Sequence, residues 1–213
     1  MTATPARADD DPGLFDATSH RRFDNVKHWT KVFDDPTRDA WQRPGSVIET
    51  LSLRPGMVVA DVGAGTGYFS SHLSKAVGSA GTVYAVETEP NLVEHLRERA
   101  ESEATANVVP VLASFDNPRL PRASLDLILF VDTFHHVDDR RAYFTRLASR
   151  LREGGRVAII DWKKEELPVG PELDHKLARS QVIEEMKMAG YALADESRSL
   201  PNQYFLIFSS REP

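Results

Sequence analysis

The sequence contains no cysteine, which excludes disulfide bonds, thiolate metal ligands and cysteine nucleophiles. It also lacks any apolar run near the roughly 18 residues that a membrane-spanning helix needs. The opening residues MTATPARADDDPG have no apolar core of the kind that secretory signal peptides carry. These absences predict a cytoplasmic protein with no membrane partner.

An excess of positive charge is missing as well. The chain has 26 Lys and Arg against 32 Asp and Glu, a formal net charge of −6. Nucleic-acid binding relies on basic side chains that neutralise phosphates, so no nucleic-acid partner is expected. The 213 residues fit within one domain of about 50–250 residues, and nothing in the sequence indicates an oligomeric state.

Three regions of the chain differ in composition. Residues 1–18 are rich in Thr, Ala, Pro and Asp without periodicity, which predicts a flexible tail. Residues 19–45, here called the N-terminal segment, are predicted to be helical and either to dock on the domain or to form a lid over a ligand. Residues 46–213 are predicted to form the main domain. The apolar residues at helical spacing in the N-terminal segment are Phe23, Val26, Trp29 and Phe33.

Strand and helix patterns alternate from residue 46 onward. Strands that are apolar almost throughout and are separated by helices predict an α/β fold, in which a doubly wound, mostly parallel sheet carries helices on both faces. A further helix is expected around 172–189, and a turn-rich link predicts that the final two strands pair antiparallel. The predicted strands are 57–62, 82–87, 108–112, 125–131, 155–161, 191–197 and 203–209.

The stretch VVADVGAGTGYFS (58–70) places an acidic residue and alternating glycines directly after the first predicted strand. Gly63, Gly65 and Gly67 permit a tight turn whose backbone can approach a ligand closely. Glu87 ends the second predicted strand, where a carboxylate can accept hydrogen bonds from both ribose hydroxyls. Ligands of such sheets lie at the carboxyl ends of the strands, so these residues predict one crevice that binds a nucleoside.

The glycine spacing separates the known classes of nucleotide site. The dinucleotide fingerprint G-x-G-x-x-G requires a glycine where this chain has Tyr68. A phosphate-binding P-loop requires Gly-Lys-Ser/Thr, which does not follow the glycines here. A nicotinamide-dependent oxidoreductase is therefore the less favoured interpretation.

Five motifs in order resemble the class I S-adenosylmethionine-dependent methyltransferases. The resemblance covers residues 46–210 and implies a seven-stranded sheet with its last strand antiparallel. It also implies that S-adenosylmethionine is the cofactor and S-adenosylhomocysteine the product. The motifs are VVADVGAGTGYFS, VYAVETEP, VLASFDNPRLP, LDLILFVDTFHHVDD and LREGGRVAIIDW.

The same resemblance implies a set of cofactor-binding residues. Asp61 and the turn would hold the methionine end, Glu87 the ribose, Ser114 and Phe115 the adenine, and Asp132 would close the cavity. Many relatives have aspartate where this chain has Ser114, and Asp116 is an alternative partner for the adenine amino group. The turn residues are Gly63, Ala64, Gly65 and Gly67.

Asp132 and His135 both follow the fourth predicted strand and are the candidates for a catalytic general base. A packed structural role for His135 and its neighbour His136 is the favoured alternative, and no third ligand indicates a metal site. The expected function is methyl transfer by in-line displacement to a small-molecule acceptor, with a protein acceptor left open. The alternative is a non-catalytic protein that binds the cofactor or its product as a sensor or partner subunit.

Overall fold

The computed structural model of the protein describes residues 25–210. The predicted tail, 1–18, and the start of the N-terminal segment, including Phe23, lie outside the described residues. Among residues 25–210, no helix is long and apolar enough to cross a bilayer. The helices are α1 (Val26–Phe33), α2 (Arg38–Gln42), α3 (Pro44–Leu51), α4 (Tyr68–Val77), α5 (Pro90–Ser102), α6 (Arg140–Leu147) and α7 (Arg179–Met188).

The strands form one seven-stranded sheet in the order β3-β2-β1-β4-β5-β7-β6. The first five strands pair in parallel, and β7 lies antiparallel to both of its neighbours. The predicted fold, with its reversed last strand, is confirmed. The strands are β1 (Val58–Val62), β2 (Thr82–Glu87), β3 (Val108–Leu112), β4 (Leu125–Val131), β5 (Leu151–Trp162), β6 (Tyr191–Ser197) and β7 (Gln203–Ser210).

Two elements start several residues away from their predicted positions. Strand β5 begins at Leu151 instead of 155, because the chain passes through Gly154 and Gly155 as an irregularity in its pairing with β4. Helix α7 begins at Arg179 instead of 172. The preceding chain makes only a short 3₁₀ turn at Leu173–His175, and the Lys176 ammonium then donates to the Glu165 carbonyl at 2.9 Å. That hydrogen bond holds the residues just before α7 in an extended conformation.

Apolar side chains cover the sheet on both faces. One core layer includes residues from α6 and α7, and the other includes residues from α3 and α4. Every residue of β4 is buried, as expected for the middle strand of a sheet covered twice. The parallel strands β1, β2, β4 and β5 therefore end at the same edge, where the polar residues of the next section are found.

Candidate active site

The turn at Gly63–Gly67, the glycine turn below, connects β1 to α4. The Gly63 and Ala64 amides donate to the Val86 carbonyl at 2.9 and 3.0 Å, which fixes the turn against β2. Gly63 has φ +76°, and a Cβ there would lie 2.3 Å from the Thr133 hydroxyl oxygen. Only glycine combines that conformation with so close an approach of the β4 loop.

Glu87 ends β2 beside the glycine turn, as the sequence predicts, and is 8% exposed. Its carboxylate accepts from the Gly65 amide at 2.9 Å and from the Thr88 amide at 2.6 Å. Burial raises the pKa of Glu87, and these backbone donors act against that rise. The site thus holds a buried acceptor where the chain turns away from the sheet.

Asp61 provides a second buried carboxylate, on β1 just before the glycine turn. The side chain is 2% exposed and accepts a hydrogen bond from the Ser70 hydroxyl at 2.7 Å. Burial raises its pKa to about 6. A cationic ligand group next to Asp61 would favour the ionised form and lower that pKa.

Asp132 follows β4 in the left-handed conformation, with φ +54°. Its carboxylate accepts from the Gln203 amide at 2.5 Å, and Gln203 in turn accepts from the Gln42 amide at 2.7 Å. Desolvation raises the pKa of Asp132 to about 7, and the neighbouring Asp161 charge adds to the rise. The N-terminal segment, the β4 loop and β7 therefore meet at one carboxylate.

His135 lies in the short 3₁₀ turn Phe134–His136 and pairs with Asp161 at the end of β5. Its Nδ1 lies 2.8 and 2.9 Å from the two carboxylate oxygens, and its backbone amide donates to the same carboxylate at 3.2 Å. Burial acts to lower the pKa of His135, but the Asp161 charge outweighs it and the pKa is raised. The His136 ring packs at a tilt against the His135 ring, and the two ring centroids lie 4.1 Å apart.

Tyr204 stands opposite Asp161 in the β5–β7 pairing. Its hydroxyl is buried and has no hydrogen-bond partner among residues 25–210. Within the same residues, no group of three or more His, Asp or Glu side chains is arranged to hold a metal ion.

The loop after β3 starts beside Glu87, because the Ala113 amide donates to the Glu87 carbonyl at 2.8 Å. Ser114 follows, and its hydroxyl donates to Asp116 at 2.8 Å. Phe115 is 49% exposed at the outer rim. These residues stand at the far end of the crevice from Asp132, and their contact with adenine stays a prediction.

The described part of the N-terminal segment, residues 25–45, crosses the glycine turn. A Cβ on Gly65 would lie 3.3 Å from the Phe33 ring, so the ring rests above the turn. Asp34 accepts from the Thr66 hydroxyl at 2.9 Å and pairs with Arg99 at 2.9 Å. The segment is thus tied through Asp34, the residue after α1, to the glycine turn and to α5.

Sequence reasoning missed three polar residues of the site. Asp161 carries the signal that identified Asp132, an acidic group at the carboxyl end of a buried strand, and could have been found by the same rule. Arg38 lies among charged residues of a short helix, and Gln203 comes from the antiparallel strand. No local pattern marks either of these two.

The protein family described as a methyltransferase domain matches residues 59–155. Among solved structures, the chain is similar to a SAM-dependent methyltransferase from Aquifex aeolicus. The two are 29% identical, the TM-score is 0.82, and the match covers 88% of this chain and 98% of the other. The similarity to this solved structure includes most of the described residues. The family match is shorter, and helices α1, α2 and α3 lie outside it.

Curated relatives show shorter similarities. A protein-L-isoaspartate O-methyltransferase from Aeropyrum pernix is 41% identical over 78 residues, which is 37% of this chain and 30% of that protein. A ubiquinone/menaquinone biosynthesis C-methyltransferase from Shewanella halifaxensis is 26% identical over 125 residues, 58% of this chain and 49% of that protein. The chain thus spans about half or less of the length of these two relatives.

The seven-stranded sheet with its antiparallel last strand and the buried carboxylates at its carboxyl edge are those of a Rossmann-like α/β protein. In its family match, its sheet and these relatives, the chain is similar to S-adenosylmethionine-dependent methyltransferases, and that similarity indicates S-adenosylmethionine as the cofactor. The residues present fit this cofactor. The three glycines let neighbouring groups approach the backbone of the turn closely, and the buried carboxylates of Asp61 and Glu87 lie beside it.

Proposed function

We propose that the protein binds S-adenosylmethionine at the glycine turn and transfers its methyl group to a small-molecule acceptor. The observation that supports this most is the position of the buried Glu87 carboxylate, 2.9 Å from the Gly65 amide at the crevice. A carboxylate in that place suits the two hydroxyls of a ribose. The adjoining backbone amides and the Asp61 carboxylate suit the methionine end.

The residue roles follow the order of the strands along the sheet edge. Glu87 accepts from the ribose, and Ser114 and Phe115 flank the adenine at the rim of the crevice. Asp61 and the glycine turn hold the methionine end, and Asp132 closes the cavity on the β4 side. In this proposal the N-terminal segment is a lid, since it already covers the turn.

When bound, S-adenosylmethionine supplies a methyl group activated on a sulfonium, so the protein's main task is to align the acceptor with it. The N-terminal segment and the β4 loop exclude water from that region. In this proposal Asp132 or His135 takes a proton from an acceptor that must lose one. Asp161 fixes the His135 ring and stabilises its charged form.

A small molecule is the acceptor that the site favours. His135 is 6% exposed and the Asp132 side chain 21% exposed, so only a slender group can approach them. A segment of folded protein would have to displace the N-terminal segment first. The net charge of −6 argues against nucleic acid.

Cofactor binding is tested by thermal unfolding of the wild type and of Glu87→Gln with S-adenosylmethionine or S-adenosylhomocysteine. Ligand at about 100 times its Kd adds roughly 2.7 kcal/mol to the free energy of unfolding. For a chain of this size that raises Tm by roughly 5–10 °C. Glu87→Gln keeps the shape of the side chain but loses an acceptor for the ribose, so we expect a much smaller shift.

Glu98→Gln is the matched control, because Glu98 lies exposed on α5 and its change should leave the shift intact. Ligand-free wild type and both variants are first compared by circular dichroism. A folded wild type that shows no shift with either ligand contradicts the proposal. Equal shifts in the wild type and Glu87→Gln would remove Glu87 from the ribose site.

Catalysis is tested by incubating the protein with S-adenosylmethionine labelled on the methyl group and a cell extract. The extract is divided by filtration into a small-molecule fraction and a protein fraction. We expect label in the small-molecule fraction and a slower rate with His135→Gln. Label confined to the protein fraction would make the acceptor a protein, and tight binding with no transfer would favour the sensor alternative.

A further inference from the structure

Arg38 reaches from the N-terminal segment to the methionine side of the crevice. Its guanidinium carbon lies 4.2 Å from the ring centroid of Tyr68, the first residue of α4 after the glycine turn. The side chain is 13% exposed. A cation held over an aromatic face with so little solvent occupies a defined place in the site.

The guanidinium of Arg38 has donors with no hydrogen-bond partner among residues 25–210. A guanidinium carries five N–H groups. Three hydrogen bonds are made, two to the Gln42 side-chain oxygen at 3.3 and 3.2 Å and one to the Phe33 carbonyl at 2.8 Å. The contact with Asp132 is 4.0 Å long, beyond hydrogen-bond distance. Within the described part of the chain, two N–H groups therefore remain for an acceptor.

The ionisable groups that surround Arg38 are acidic. Asp61 and Asp132 both lie within its electrostatic reach, as do Asp34 and the Tyr68 hydroxyl. Burial raises the pKa of Asp61 and of Asp132 more than the Arg38 charge lowers it. The methionine end of a ligand carries an ammonium and a carboxylate on one carbon. Such a zwitterion matches one guanidinium flanked by two carboxylates.

We propose that Arg38 binds the carboxylate of the methionine end of the cofactor, while Asp61 and Asp132 face its ammonium group. This inference rests on the proposed function, since it presupposes that the crevice binds S-adenosylmethionine. It assigns the N-terminal segment a direct part in recognition. When the N-terminal segment is closed, Arg38 completes the site. When the segment opens, Arg38 moves away from the carboxylate of the cofactor.

The competing explanation is that Arg38 only ties the N-terminal segment to the domain. The two explanations differ in which ligands they affect. A carboxylate partner matters for S-adenosylmethionine and not for decarboxylated S-adenosylmethionine, which keeps the ammonium, the sulfonium and the nucleoside. A tie for the segment matters equally for both ligands.

The test compares the Kd of these two ligands by isothermal titration calorimetry in the wild type, Arg38→Met and Arg99→Met. Methionine keeps the packing of the stem over Tyr68 and removes the charge. We expect Arg38→Met to weaken S-adenosylmethionine about 30-fold or more, as loss of one partner of an enclosed charge pair does, and decarboxylated S-adenosylmethionine less than about 3-fold. Arg99→Met loosens the segment at Asp34 and should weaken both ligands by the same factor.

Equal factors for the two ligands in Arg38→Met, or no change in either, overturn the inference. Arg38→Lys provides the same comparison if Arg38→Met does not fold, because a lysine keeps the charge but loses the paired N–H groups. We expect it to weaken S-adenosylmethionine selectively, and an equal effect on both ligands overturns the inference again. A wild type that binds neither ligand contradicts the proposed function itself, which distinguishes the two failures.

Discussion

Asp161→Ala is expected to lower the free energy of unfolding by about 3–5 kcal/mol, the range for removing one partner of a buried ion pair. Asp161 is 2% exposed and accepts from three donors: the His135 ring, the His135 amide and the Trp162 amide. Alanine leaves all three without an acceptor in a site closed to water. Urea unfolding followed by circular dichroism measures the change.

Two further variants separate the causes of that loss. Asp161→Asn keeps one oxygen and removes the charge, so we expect a smaller loss of stability and a lower pKa of His135 by NMR titration. Asp195→Ala removes an exposed carboxylate on β6 and should change stability by less than about 0.5 kcal/mol. An Asp161→Ala protein as stable as the wild type would show that the pair with His135 contributes nothing to the fold.

Asp132→Asn is expected to stabilise the ligand-free protein at pH 8 by about 2 kcal/mol and to raise its Tm by several degrees. The pKa of Asp132 is raised from an ordinary 3.8 to about 7. Between pH 4 and pH 7 the folded state therefore holds a proton that the unfolded state releases. Wild-type stability falls as the pH rises through that window, and asparagine has no such proton to lose.

The advantage of Asp132→Asn should grow from pH 4 to pH 7 and stay constant above it. Asparagine also suits the left-handed backbone at this position, so strain is not introduced. Thermal unfolding of both proteins at several pH values between 4 and 9 measures the difference. A difference independent of pH would mean that the charge of Asp132 is not what destabilises the wild type. The same variant should bind S-adenosylmethionine more weakly, because a substitution that stabilises a functional site commonly weakens its function.

The parts of the fold that depend on local sequence could be predicted closely. Strands β2, β3, β4 and β6 have the predicted bounds, and the first three of them are short apolar, β-branched runs with turn residues or loops at their ends. The glycine turn and Glu87 also lie where their spacing indicates. Since a strand end and the turn after it share one stretch of chain, their proximity follows from the sequence alone.

The contacts that complete the site could not be predicted in the same way. Gln42 and Gln203 are 161 residues apart, and neither differs in sequence from an ordinary surface glutamine. Both are fully enclosed because three segments converge on Asp132. The pairing of His135 with Asp161 likewise depends on β4 and β5 being neighbours. Such contacts follow from topology, which single residues do not specify.

The position of β7 has a consequence for how the chain reaches this structure. β7 is synthesised after β6 but lies between β5 and β6 in the sheet. Until β7 emerges, β5 has an open edge and β6 has no neighbour to pair with. Gln203 is the first residue of β7, so Asp132 gains its amide partner only when β7 is in place. Assembly of the site therefore waits for β7 to be synthesised, and a nascent chain stalled before residue 203 would present an unpaired, aggregation-prone strand edge to the cell.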